Sequence, residues 1–434
     1  MSHSEQQSID FPAVAMPTAP TFPTVRTEIA QVPVLELAQQ FGTPTYVYDA
    51  AKIVERIGDL AQFDVVRYAQ KACSNLAILK LVRAHNVTVD AVSAWEIRRA
   101  LAAGYTTHGE PHPIVYTADI FDDEALDLCV EHGLHVNCGS PDMINQLGER
   151  APGSEITLRI NPGFGHGHSQ KTNTGGEQSK HGIWHEQLDD CLQLADRHNI
   201  QVTGLHMHIG SGTDLEHLAQ VCGAMEKAAL EVGRTITTIS AGGGLPVAYR
   251  SDQQYVDLAQ YFSLWDNVRN TLAQKFEHPI SLEIEPGRYL AAESGYLIAQ
   301  IRAIKQMGGN LFYVADAGFN NLARPIMYGA YHPISVARRD GATEVAEQDV
   351  IVGGPLCESG DIFTQEEGGY VSARKLPLAM VGDLLIIECA GAYGHCMSSN
   401  YNSKPIAAEV LIEDQKPRLI RKRQTFESYI ADEL

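Results

Sequence analysis

Lys71 stands in the run YAQKACSN, immediately after an apolar stretch, and an amine at the end of a buried strand can be desolvated enough to form a Schiff base. Three consecutive glycines, Gly242, Gly243 and Gly244, follow another apolar stretch, where bare backbone N–H groups can close on a phosphate. The run HMHIGSG ends a third stretch and offers His208 and Ser211. In EIEPGR, the residues Glu285, Pro286, Gly287 and Arg288 follow a fourth. A carboxylate such as Glu285 within hydrogen-bond reach of a ring nitrogen favours the ring cation. Taken singly, each has a plain structural reading: a solvated lysine, a tight turn, a core histidine, or a Glu285–Arg288 surface pair worth about 0–1 kcal/mol. Together they are an imine-forming amine, an anion cradle and a charge partner, which are the needs of pyridoxal 5'-phosphate acting as an electron sink.

Convergence of these groups requires a scaffold that collects strand ends. Strand-like segments at 65–69, 87–92, 114–118, 134–138, 156–161, 202–209, 236–241 and 280–285 alternate with amphipathic segments. Ser140-Pro141 opens one predicted helix, and Gly104 and Gly133 close two others. This alternation predicts a parallel (β/α)8 barrel, with its chemistry at the C-terminal ends of the strands. From about residue 294 short strands at 296–304, 311–316, 348–353, 383–388 and 407–412 predict a second, mostly antiparallel β domain. The expected division is residues 1–49 as an N-terminal arm and strand joining the β domain, 50–293 as the barrel, and 294–434 as the β domain. The arm is expected to be flexible up to Thr45–Tyr48, which reads as an edge strand.

With 53 acidic against 33 basic side chains, the net charge is −20, which opposes nucleic acid and anionic membrane surfaces as partners. No stretch has the roughly 20 apolar residues that span a bilayer, and no secretory signal is evident. Eight cysteines without paired spacing point to a reduced, cytoplasmic setting. His166, His168 and His181 lie close in the 163–182 loop, but no acid or cysteine completes a metal-site spacing, so a lid is expected and a metal is not. ArgLysArg at 421–423 reads as a solvated face.

The chain resembles the diaminopimelate decarboxylases, fold-type III pyridoxal phosphate enzymes of lysine biosynthesis. The motifs are YAQKACSN, RINPGFGHGHSQKTNTGG, HMHIGSG, AGGGL, EIEPGR, RPIMYGAYH, GPLCESGD and GAYG before MSSNYNS. The resemblance implies that Lys71 carries the cofactor and that His208 stacks on its ring. It implies that Ser211, Gly242, Gly243 and Gly244, helped by Gly287 and Tyr393, hold the phosphate, with Glu285 at the ring nitrogen. It also implies a homodimer with shared sites, in which Cys357 reaches the neighbouring subunit's site as proton donor. An ordinary thiol, with pKa about 8.5, is mostly protonated at neutral pH. Arg288, Arg324 and Tyr328 would bind the distal carboxylate of a small amino-acid substrate, with Tyr393 beside them, and Glu358 would accept from its ammonium. The implied activity is decarboxylation of meso-2,6-diaminopimelate to L-lysine. The alternatives are an ornithine- or arginine-type decarboxylase, a racemase of the same fold, and a non-catalytic homologue that keeps only the fold.

Overall fold

The computed structural model describes residues 19–165, 174–208, 210 and 215–434. Eight parallel strands, Val65–Ala69, Thr88–Ala91, Ile114–Ala118, His135–Cys138, Glu155–Asn161, Gln201–His206, Thr238–Ser240 and Ser281–Ile284, form a closed ring. Closure comes from the pairing of the last strand with the first, Glu283 opposite Val65. The irregular register between Val202 and Gly204 fits the sixth strand to the fifth. Helices fill the connections and their caps follow local chemistry. Ser140 Oγ accepts from Met143 N ahead of Pro141, and Gly133, at φ +58°, ends the helix Asp123–His132.

The barrel strands alternate, and the polar side points inward. Ile114, Val136, Ile156, Leu158, Ile239, Leu282 and Ile284 are buried in the main apolar cluster. The intervening Arg67, His135, Asn137, Thr157, Ser240 and Glu283 line a cavity of about 400 Å³. This shaft runs from Asp64, Glu110 and Glu155, at the N-terminal end of the barrel, to Glu285 at the other end. Arg67, 1% exposed, is paired inside it with Glu283 at 3.0 Å.

The second sheet is mostly antiparallel, with the long strand Gly295–Met307 pairing Asn310–Ala315, Leu384–Ile387 and Thr45–Asp49. Thr45–Asp49 also pairs, in parallel, with Ala408–Glu413. It is therefore an interior strand and not the expected edge: Thr45, Tyr46, Val47 and Tyr48 are all buried, because sheet neighbours lie on both sides. Nor is the preceding segment a free arm from residue 24 onward. Val25 bridges Val336, Arg26 pairs with Glu388 at 2.8 Å, and Val34–Phe41 forms a helix that buries Val34 and Leu37. The 421–423 run also departs from a solvated face. Arg421 Nε donates to buried Glu409, and Arg423 Nη2 donates to Thr45 Oγ1 at 3.0 Å. Their acceptors lie far away in sequence, so charge density alone could not reveal them. No helix among the described residues is long and apolar enough to cross a membrane.

Glu409, 1% exposed, joins the two parts by accepting from Tyr48 Oη and from Asn75 Nδ2, both at 2.8 Å. Glu409→Ala would strand these donors and Arg421, and should destabilise the protein by about 3–5 kcal/mol in urea denaturation.

Inside the barrel, His135 Nε2 lies 2.8 Å from Thr157 Oγ1. Burial, then His112 and Arg67, hold its imidazole down to about 3. The unfolded chain takes up this proton near pH 6.5 and the folded chain refuses it, so stability present above 6.5 should be lost as pH falls toward 3. Replacement by Gln, which keeps a partner for Thr157, should flatten that part of the stability–pH curve.

Candidate active site

Lys71 lies in the single turn Gln70–Ala72 that follows the first barrel strand. Three contacts fix the turn. Gln70 Nε2 donates to Glu96 O at 3.1 Å, and Tyr393 N donates to Ala72 O at 2.9 Å. Gly287 packs so closely that a Cβ there would stand 3.1 Å from Ala69 O. The turn carrying the amine and the turn of EIEPGR are thus in direct contact. Tyr393 holds its place with a left-handed φ of +56°, an uncommon conformation for a tyrosine. Cys396, from the HisCysMet segment, also lies on this turn, its thiol 3.4 Å from Ala72 O.

Asp90, on the second barrel strand, lies near enough to both Lys71 and Glu285 to feel the charge of each. Burial and then the Glu285 charge push its carboxyl up to about 6, while the Lys71 ammonium opposes the rise. Glu96 is raised to about 7, chiefly by burial. Neither acid was singled out in the sequence; the available signal was a carboxylate inside the buried run ThrValAspAla.

Glu285, 7% exposed, accepts from Ser240 Oγ at 2.8 Å, and the same hydroxyl accepts from Gly242 N at 3.1 Å. His206 Nε2 approaches its other oxygen at 3.2 Å, while Asn137 Nδ2 lies 2.9 Å from His206 Nδ1. Burial, then Arg159 and Lys71, keep the His206 imidazole well below its usual range, so it stands beside Glu285 as a neutral group. Among the described residues no lysine or arginine pairs with Glu285, and the Glu285–Arg288 pair does not form.

The glycine run is sterically compulsory. A Cβ on Gly242, at φ +64°, would come within 2.6 Å of Met207 O; one on Gly243 would come within 2.8 Å of Glu285 O; and one on Gly244, at φ +99°, within 2.3 Å of Gly210 O. His208 lies against this loop, its Nδ1 without a partner among the described residues and its imidazole held well below the usual range by burial, Arg159 and Lys71. Ser211, His166 and His168 lie outside the described residues. His181 binds Asp119 at 2.8 Å, and Asn161 accepts from Gly163 N and Gly176 N, which pins both flanks of the 163–182 loop.

Arg288 and Arg324 converge on one hydroxyl, donating from Nη1 to Tyr249 Oη at 3.0 and 3.2 Å. Arg288 also lies over the Tyr393 ring, 5.2 Å from its centroid, and near Tyr328. No carboxylate pairs with either guanidinium among the described residues. Burial and then the opposing Arg288 charge lower the Arg324 pKa, although Tyr249 acts against them. Tyr249 was not foreseen, since nothing in AlaTyrArg marks it. Cys357 and Glu358 are exposed on the loop after Glu347–Gly353. Cys357 N donates to Asn402 Oδ1 at 2.7 Å, and among the described residues no hydrogen bond or ion pair joins either side chain to the Lys71 cluster.

The family model described as "Pyridoxal-dependent decarboxylase, pyridoxal binding domain" matches residues 50–292. The diaminopimelate decarboxylase of Escherichia coli K12 is 53% identical over 410 residues, covering 94% of this chain and 98% of its own length. That of Streptomyces coelicolor is 54% identical over 398 residues, covering 92% and 90%. The chain belongs to the diaminopimelate decarboxylase family. A crystal structure of a diaminopimelate decarboxylase matches with a TM-score of 0.89 at 53% identity, covering 92% of this chain and 95% of that one. The Helicobacter pylori enzyme complexed with L-lysine matches with a TM-score of 0.81 at 30% identity, covering 92% and 98%.

The residues present fit the cofactor of this pyridoxal-dependent family. The side-chain-free loop at Gly242–Gly244 is open to a phosphate, and Glu285, with no lysine or arginine paired to it among the described residues, is open to a ring nitrogen, as pyridoxal phosphate needs. Gly244→Ala should lower pyridoxal phosphate affinity by at least about 100-fold, read as loss of protein-bound visible absorbance on dialysis, because Gly210 O occupies the position of the added methyl.

Proposed function

We propose that this chain removes the carboxylate at the D-configured centre of meso-2,6-diaminopimelate, releasing carbon dioxide and L-lysine in the last step of lysine biosynthesis. The observation that carries this reading is the pair Arg288 and Arg324, held on Tyr249 without an acid. A distal carboxylate completes that pair, whereas ornithine would leave Arg324 buried and uncompensated, at a cost of about 3–5 kcal/mol. An arginine- or ornithine-type decarboxylase is disfavoured for that reason. A non-catalytic homologue has no need of Lys71 and Cys357 together.

Pyridoxal phosphate, when bound, supplies the electron sink for the carbon–carbon bond that breaks. Lys71 Nζ would hold it. Glu285, flanked by the neutral Ser240 and His206, offers its charge to the ring nitrogen, and neutral His208 offers its ring face. Ser211 and the backbone at Gly242, Gly243, Gly244 and Gly287, with Pro286 and the Tyr393 hydroxyl, would hold the phosphate. Arg288, Arg324 and Tyr328 would hold the distal carboxylate and so fix which end of the substrate is presented for reaction.

The remaining groups come from a second copy. Cys357 of the partner subunit gives its Sγ proton to the carbon that has lost carbon dioxide, and Glu358 of the partner subunit accepts from the distal ammonium. Their exposure, away from the Lys71 cluster of their own chain, supports this homodimer with shared sites. All eight cysteines are free, which supports a cytoplasmic setting. We place the domain limits at residues 50–293 for the barrel and 294–434 for the β domain, which the strand from 45 to 49 joins.

Lys71→Ala should lose covalent cofactor absorbance and about four orders of magnitude in kcat for carbon dioxide release; normal turnover would refute the assignment. Cys357→Ala should likewise be nearly inactive. When the two inactive variants are mixed in equal amounts and re-equilibrated, the mixture should regain about a quarter of wild-type activity, because about half of the dimers are hybrids and each hybrid has one intact site of two. No recovery would place both residues in one subunit's site.

A further inference from the structure

Arg324 is 7% exposed, and besides Tyr249 its Nη1 meets one other side-chain atom, His332 Nε2, at 2.8 Å. His332 is 1% exposed, and its Nδ1 lies 3.0 Å from the backbone carbonyl oxygen of Glu388. A carbonyl oxygen only accepts, so Nδ1 carries the hydrogen and Nε2 turns a lone pair toward the guanidinium. Burial, then the Arg324 charge, keep the imidazole well below its usual range, which agrees with this neutral tautomer. The residue itself is clamped. Arg374 Nη1 donates to the His332 carbonyl, and the Tyr249 ring stands edge-on to the imidazole at 5.4 Å between centroids.

The geometry points to His332 as a positioning residue for recognition of the substrate's distal carboxylate: its neutral Nε2 orients Arg324 without cancelling the guanidinium charge. An acid at this place would also orient the arginine, but would form a closed ion pair that competes with the substrate. An apolar residue would leave the guanidinium to choose among rotamers and to lose that freedom on binding. A buried neutral acceptor does neither. It fixes one N–H and leaves the charge for the incoming carboxylate.

This inference rests on the function proposed above, and a pair of competitive inhibitors separates the two. L-lysine keeps the distal carboxylate; 1,5-diaminopentane has the same amines and no carboxylate. In the holoenzyme, His332→Ala should raise the KM for meso-2,6-diaminopimelate and the inhibition constant of L-lysine about tenfold, with kcat changed less than about threefold. The inhibition constant of 1,5-diaminopentane and the bound-cofactor absorbance should not move. His332→Gln, which restores an acceptor, should recover most of the L-lysine affinity, and His332→Glu should be worse than Gln for L-lysine alone. The Gln–Glu comparison decides the matter if the Ala variant does not fold. Parallel shifts for the two inhibitors, or no shift for either, would overturn the role of His332. Failure of L-lysine to compete in the unsubstituted enzyme would overturn the substrate reading with it.

Discussion

A carboxylate that is to stabilise a cationic ring cannot already be spent on a cation of the protein. Glu285 meets that condition through the company it keeps: a serine hydroxyl at 2.8 Å and an imidazole that burial and nearby positive charge hold neutral. The only basic side chain in its sequence motif, Arg288, is drawn away to Tyr249. The rest of the site is arranged around this restraint. Ser240 ties Glu285 to the glycine loop through Gly242 N, and Gly287 packs its turn against the turn that carries Lys71. Amine, cradle and charge partner are therefore one backbone-linked unit and not three separate loops.

The same logic recurs at Arg288 and Arg324 with the sign reversed. Two guanidiniums are gathered on a tyrosine hydroxyl, one of them supported by a neutral imidazole, and among the described residues no acid closes the pair. Like charges held together in a partly dehydrated place raise the energy of the empty site, and an arriving anion relieves it. On the function proposed here, discrimination between a substrate with a second carboxylate and one without it would follow from that stored repulsion as much as from new contacts.

The barrel was legible because its outward residues are β-branched or aliphatic and recur between capped helices, while the glycine run and EIEPGR carry local backbone requirements that show in the letters themselves. What stayed hidden depended on partners distant in sequence. Tyr249 and His332 are ordinary residues until Arg324 folds against them. Thr45–Asp49 looked like an edge because its second neighbour, Ala408–Glu413, comes some 360 residues later, as the 361-residue span of the Tyr48–Glu409 hydrogen bond shows. Arg423 looked solvated because its acceptor, Thr45, is 378 residues away. The helix Val34–Phe41 was missed for another reason: Pro33 at its start gives no side-chain cap, so the usual entry signal is absent.

The hollow, polar axis of the barrel shifts the burden of cohesion outward. With Arg67, Asn137, Thr157 and Glu283 around a lumen of about 400 Å³, the centre of the ring contributes little dry contact. The enzyme hangs together as a tube does, by its wall, where Val136, Leu158, Ile239 and Leu282 meet the surrounding helices. Evolution of this scaffold is accordingly free to rewrite the inside of the pipe for new chemistry, and is most constrained in the sleeve that no substrate touches.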